Sequence, residues 1–145
     1  NKTDLLDKDN KSEIESILKT DPIFIGLPSC FISAKNREGL KHLFDIIYRV
    51  LENVKRNIST NKLNNILRKA MDAKSIPFKG KFRPKIRFVH QGGKNPHIIT
   101  VHGNSLEKIE GSYKRFLVNF YQKKLELLGI TIKLKFITSK NPYKS

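Results

Sequence analysis

The chain has 145 residues, a formal net charge of +16, 38% apolar residues, one cysteine and no tryptophan. That length suits one ordinary domain or two small ones, and a lone Cys30 excludes an internal disulfide framework and fits a reducing compartment. No apolar run approaches the ~20 residues of a membrane helix and no secretory signal opens the chain, so a cytoplasmic protein with no membrane span is expected.

The sequence starts at Asn1 rather than Met and reads as a piece of something longer. Lys11–Lys19 predicts a short helix, with Ile14, Ile17 and Leu18 at helical spacing and Pro22 just beyond its end. Cys30-Phe31-Ile32 is expected to be a short buried strand, which makes Cys30 an inert buried thiol. From about Arg37 to Lys55, Leu40, Leu43, Phe44, Ile47, Leu51 and Val54 recur at steps of three and four and predict an amphipathic helix. Asn57–Thr60 interrupts it and supplies Ser59 or Thr60 as the N-cap of a helix over about Asn61–Asp72, whose apolar face is Leu63, Ile66, Leu67, Ala70 and Met71.

Residues 74–84, with two prolines and a glycine, predict a loop. Lys85–Gln91 alternates as a strand with Ile86, Phe88 and His90 on one face and Lys85, Arg87 and Val89 on the other. Gln91–Pro96 reads as a turn, and Ile98–His102 as the partner strand of a hairpin. Asn104 with Glu107 has capping-box spacing, opening a long helix over Ser105–Leu128. Its expected buried stripe is Ile109, Tyr113, Phe116, Leu117, Phe120 and Leu127, with Gly129 just past its end. Thr131–Ile137 alternates again, Ile132, Leu134 and Phe136 inward and Lys133 and Lys135 outward, and the tail from about Thr138 is expected to be flexible. The second part is thus α-β-β-α-β.

Charge divides the chain at the same place. Residues 1–56 carry ten Lys/Arg against nine Asp/Glu, a net of +1, whereas residues 57–145 carry nineteen against four, a net of +15. Two domains follow, 1–56 and 57–145, the second with the balance of a polyanion-binding module. Lysine bias and solubility remain the alternative reading, though they leave unexplained why acids become scarce after residue 57.

Two short strings carry chemistry in the first domain. In Asn1-Lys2-Thr3-Asp4, the Asp4 carboxylate can accept both N1–H and the exocyclic amine of guanine, a bidentate match adenine does not offer, while the Lys2 stem lies along the base. In Ser33-Ala34-Lys35, the backbone N–H of Ala34 can donate to guanine O6. The alternative for residues 1–4 is a solvated terminus ahead of a helix.

This pair resembles the fourth and fifth motifs of a translation-factor-type GTPase domain, and the chain as a whole resembles the C-terminal part of the EngA (Der) family of bacterial GTPases. The resemblance is carried further by Arg56–Asn64, His90–Pro96, His102-Gly103-Asn104, Ser112–Leu117 and Asn141-Pro142-Tyr143. It implies an α/β remnant of a P-loop GTPase domain followed by an α+β KH-like domain with a three-stranded sheet backed by helices. It also implies, for the intact protein, GTP hydrolysis with GTP/GDP and Mg²⁺, guanine contacts from Asn1, Lys2, Asp4, Ser33, Ala34 and Lys35, and a role in maturation of the large ribosomal subunit. The expected partners are that subunit's RNA or proteins and the protein's own upstream GTPase domains. No G-x-x-x-x-G-K-[ST] loop is present, so these 145 residues alone are expected to be catalytically inactive and to hold no nucleotide or Mg²⁺ tightly.

The KH-type G-x-x-G loop is missing between helices, which leaves electrostatics. Lys85, Arg87, Lys133 and Lys135 are expected on one open sheet face as phosphate contacts, and Lys114, Arg115, Lys123 and Lys124 on the long helix form a second candidate patch. For both groups a simply solvated face is the competing reading. A protein-interaction module packing on the GTPase domains is the rival to RNA contact. His90, His97 and His102 lack a thiol or acidic fourth ligand nearby, so no metal is expected.

Overall fold

The computed structural model describes residues 1–21, 24, 27–77 and 83–138. The loop residues 78–82, the Pro22 helix stop, the tail beyond Thr138 and the Asn141–Tyr143 string therefore lie, wholly or in part, outside the described residues. The chain forms two compact units, Asn1–Asn53 and Val54–Ser145.

In the first unit, helix α1 spans Lys8–Thr20, and the Asp7 side chain caps it by accepting from the Asn10 N–H. Helix α2, Leu40–Lys55, crosses the division between the units. Its Phe44, Ile47, Tyr48 and Leu51 are exposed. The strand expected at Cys30–Ile32 does not form, because a strand needs a ladder partner and none of the described segments supplies one. Only Ser33 pairs, in an isolated bridge with Glu38, and Cys30 is half-buried rather than buried.

The second unit has the expected α-β-β-α-β order. Helix α3, Thr60–Ala73, is capped by the Ser59 hydroxyl, which accepts from the Lys62 N–H at 3.3 Å. Strand β1 (Lys85–Lys94) pairs antiparallel with β2 (His97–Asn104), and β3 (Ile132–Thr138) joins β2 in parallel, giving a sheet of order β1-β2-β3. Strand β1 runs through Gln91–Lys94, so the expected six-residue turn shrinks to Asn95-Pro96, joined by a cis peptide bond.

Asn104 ends β2 instead of capping a helix. A short 3₁₀ turn, Leu106–Lys108, follows it, and helix α4 occupies Gly111–Leu125. The long predicted helix is therefore broken at Ile109 and Glu110, and its last turn ends at Glu126, in the left-handed region, ahead of Gly129. Glu107 is used elsewhere. Its carboxylate accepts from the Thr138 hydroxyl at 2.8 Å, and a backbone hydrogen bond followed by this one holds its pKa below the usual carboxylate range.

The core forms where one face of the sheet meets both helices. Leu63, Ile66, Leu67 and Ala70 of α3, Tyr113, Leu117, Tyr121 and Leu125 of α4, and Ile86, Val89, Ile99, Val101 and Ile132 of the strands are all buried, while Phe116 and Phe120 pack at its margin. Two tyrosines two turns apart on α4 tie it to α3: Tyr121 donates to the Leu63 carbonyl at 3.0 Å and Tyr113 to the Lys74 carbonyl at 2.9 Å. Burial pushes both phenol pKa values up, Tyr121 far above the ordinary range. Since the unfolded phenols ionise near pH 10 and the folded ones resist, stability is retained at neutral pH and falls as pH rises through that range. Tyr121→Phe is expected to cost about 1 kcal/mol at pH 7 and to flatten the alkaline loss, as read by urea unfolding at successive pH values.

Candidate nucleotide and nucleic-acid surfaces

The chain folds so that its two guanine-type strings meet. Thr3 donates its N–H to the Ile32 carbonyl at 3.1 Å, fixing the first residues beside the segment that precedes Ser33. Fully buried Ser33 donates its hydroxyl to Asp4 at 2.5 Å and accepts from the Asn36 N–H at 3.2 Å. The Asn1 side-chain oxygen accepts from the backbone N–H of Ala34 at 3.2 Å and of Lys2 at 2.7 Å. Asn1, Asp4, Ser33 and Ala34 thus share one hydrogen-bonded cluster, and Ala34 spends on Asn1 the N–H that its motif assigns to a base. Lys2, held at φ 65°, and Lys35 are exposed beside it.

In the sheet a β-bulge rewrites the expected faces. Ile86 stands opposite Gly103 and Phe88 opposite His102, leaving Arg87 as the extra residue. The bulge reverses the alternation that follows, so Val89 is buried while Phe88 and His90 face outward with their partners His102 and Thr100. This corrects the expected inward placement of Phe88. The broken alternation of Ile86-Arg87-Phe88-Val89 was the available signal: a strict strand has no place for both Ile86 and Val89 inside.

Lys85, Lys133 and Lys135 occupy outward register positions and are exposed, with Arg87 exposed at the bulge. The basic pairs sit on the two outer strands, with β2 between them, rather than side by side. None of the 25 residues of the three strands is Asp or Glu. On the other side, Lys114 and Arg115 border a groove between α4 and β3 that is also lined by Val118, Asn119, Leu134 and Phe136. Lys114 lies over the Phe136 ring at 5.0 Å and Lys124 over Phe120 at 5.9 Å, so both ammonium groups rest on aromatic faces. Lys123 and Lys124, on the last turn of α4, lie outside the groove lining.

The three histidines divide between the faces. His97 is buried and its Nδ1 accepts from the Gln91 amide at 2.9 Å, while His90 and His102 stack on the outward side. Gln91 also accepts from the Ile58 N–H at 3.0 Å and donates to the Arg56 carbonyl at 3.4 Å, pinning the segment before α3 to β1.

Residues 57–136 match the family described as KH-domain-like of EngA bacterial GTPase enzymes, C-terminal. Among curated proteins the chain is similar to GTPase Der of Acidovorax ebreus, 38% identical over 144 residues that cover 99% of this chain and 32% of that protein. The corresponding protein of Thioalkalivibrio sulfidiphilus is 40% identical over 144 residues, 99% of this chain and 31% of its own. That of Shewanella sediminis is 37% identical, with 99% and 30% covered. The chain spans about a third of the length of these relatives.

Proposed function

The chain belongs to the EngA family of bacterial GTPases through its KH-like C-terminal domain, and on that footing we propose that it joins the guanine-reading end of a GTPase domain to a basic arm that docks on RNA of the large ribosomal subunit in the cytoplasm. Residues 1–56 supply the base-reading part, with Asn1, Lys2 and Asp4 contacting guanine and Ser33–Lys35 closing on it. The phosphates of GTP and its Mg²⁺ are held by a part of the parent protein that this sequence does not contain, so hydrolysis belongs to the whole protein. The domain from residue 57 contacts RNA under control of the GTPase domains.

The observation that carries the RNA reading is a sheet face with exposed Lys85, Arg87, Lys133 and Lys135 and strands free of acidic residues, within a segment of net charge +15. One basic pair stands on each outer strand with no acidic residue on the strands between them, so the face carries a positive field that a phosphate chain crossing β2 would meet at both edges. The groove between α4 and β3, flanked by Lys114 and Arg115, is a second contact on the same reading; Lys123 and Lys124 extend the positive field at the end of α4.

Binding to large-subunit ribosomal RNA fragments should weaken on the order of 10³-fold between 50 and 200 mM salt. Lys85→Glu with Lys133→Glu should weaken it at least ~10-fold at low salt, because each reversal removes one phosphate contact and adds a repulsion. Filter binding across a salt series reads both. Unchanged affinity in the double variant overturns the assignment of this face, and salt-indifferent association points to a protein partner instead.

A further inference from the structure

The outward sheet face holds a feature that phosphate contacts alone do not use. Phe88 and His102 lie almost parallel, 7° between planes with centroids 4.5 Å apart, and His90 stacks on His102 at 5.0 Å and 23°. Phe88 is 46% exposed although the core lies on the opposite side of the same strand. His102 Nε2 is buried and unpartnered among the described residues, so that ring is held by stacking and strand pairing, an arrangement native folds seldom leave without a role. Beyond His90 the strand carries Gly92, where a Cβ would come within 2.3 Å of the Thr100 hydroxyl. The face therefore stays low next to the rings.

We propose that Phe88, His90 and His102 form a stacking platform for an unpaired RNA base, with Arg87 on one side and Lys135 on the other neutralising the phosphates that flank it. This deepens the RNA reading above and rests on it. Register supports the geometry. Phe88 and His102 share a row across the sheet with Ile137, and His90 shares the next row with Thr100 and Lys135. Opposite corners of those two rows, Phe88 and Lys135, are roughly 12 Å apart at the backbone, so the cations bracket the rings. Flat rings between cations match a single strand, whose bases present open π-faces. A duplex keeps its bases stacked inside, and the carboxylates of an acidic protein do not stack.

The test is anisotropy of the full chain with two probes, fluorescein-labelled oligouridylate and the same strand made abasic. Oligouridylate should bind roughly tenfold more tightly than the abasic strand. Phe88→Ala should lower oligouridylate affinity to the abasic level, and Phe88→Trp should keep it. Equal binding of the two probes to the unaltered chain overturns the platform and leaves the phosphate reading standing. Binding of neither probe at low salt overturns the RNA reading itself. Should Phe88→Ala fail to fold, the probe comparison on the unaltered chain decides alone.

Discussion

Alanine in place of Gly103 is expected to destabilise the C-terminal unit by at least about 3 kcal/mol, lowering its melting temperature by roughly 15 °C. A Cβ at that position would lie 2.1 Å from the Lys85 carbonyl oxygen, 2.9 Å from Leu106 Cδ2 and 3.0 Å from Ile86 Cα. Two of these are backbone atoms of the neighbouring strand, which cannot step aside as a flexible side chain would. Leu106 is fully buried and has nowhere to go. Relief therefore requires β1 to separate from β2 beside the Arg87 bulge, and the inward positions of Ile86 and Val89 depend on that pairing. Thermal unfolding followed by circular dichroism reads the effect. A variant melting within a few degrees of the unaltered chain would show that the strands have slack here.

Asn64→Leu should cost about 3 kcal/mol, a large effect for one partly exposed amide. Strand β1 is at the edge of the sheet, so Val89 turns its N–H and carbonyl away from β2 and toward α3. The Asn64 side chain meets both: its oxygen accepts from the Val89 N–H at 3.0 Å and its amide donates to the Val89 carbonyl at 2.8 Å. It behaves as one residue of a missing strand. The same amide donates to the Thr60 carbonyl at 2.7 Å, which fixes its orientation. Leucine has nearly the same volume but leaves both Val89 groups orphaned, each costing about 1–3 kcal/mol. Asn64→Asp separates the two contributions, since a carboxylate can still accept from the Val89 N–H but cannot donate to its carbonyl. Urea midpoints should rank the unaltered chain above Asn64→Asp and that above Asn64→Leu.

Where a single periodicity decides the outcome, the amino-acid pattern was enough. Leu63, Ile66, Leu67 and Ala70 read as one stripe and are all buried, and of the two candidate caps, Ser59 and Thr60, Ser59 takes the role. The misreadings share a cause: they turn on partners distant in sequence. Asn104 and Glu107 have capping-box spacing, but Asn104 stays in the ladder opposite Lys85 and Glu107 finds Thr138. Cys30–Ile32 has the composition of a buried strand and no neighbour to pair with among the described residues. Alternation within the single strand Lys85–Gln91 puts Phe88 on the same face as Ile86, whereas the bulge that turns it outward exists only between two strands. For the same reason the ring trio, drawn from β1 and β2, has no signature in either strand alone. The guanine-type strings were legible as strings, but their meeting through Ser33 and Asp4 needed the fold.

The parallel pairing of β3 with β2 has a consequence for synthesis. The β1–β2 hairpin is local in sequence, but its second edge waits for Ile132, thirty-five residues after His97. At ordinary elongation rates that interval is roughly 2–7 s. Throughout it the nascent chain displays His97–Asn104, a β-branched segment without acidic residues, as an uncovered template for another strand. The period of greatest aggregation hazard thus falls during translation, before β3 arrives to cover that edge.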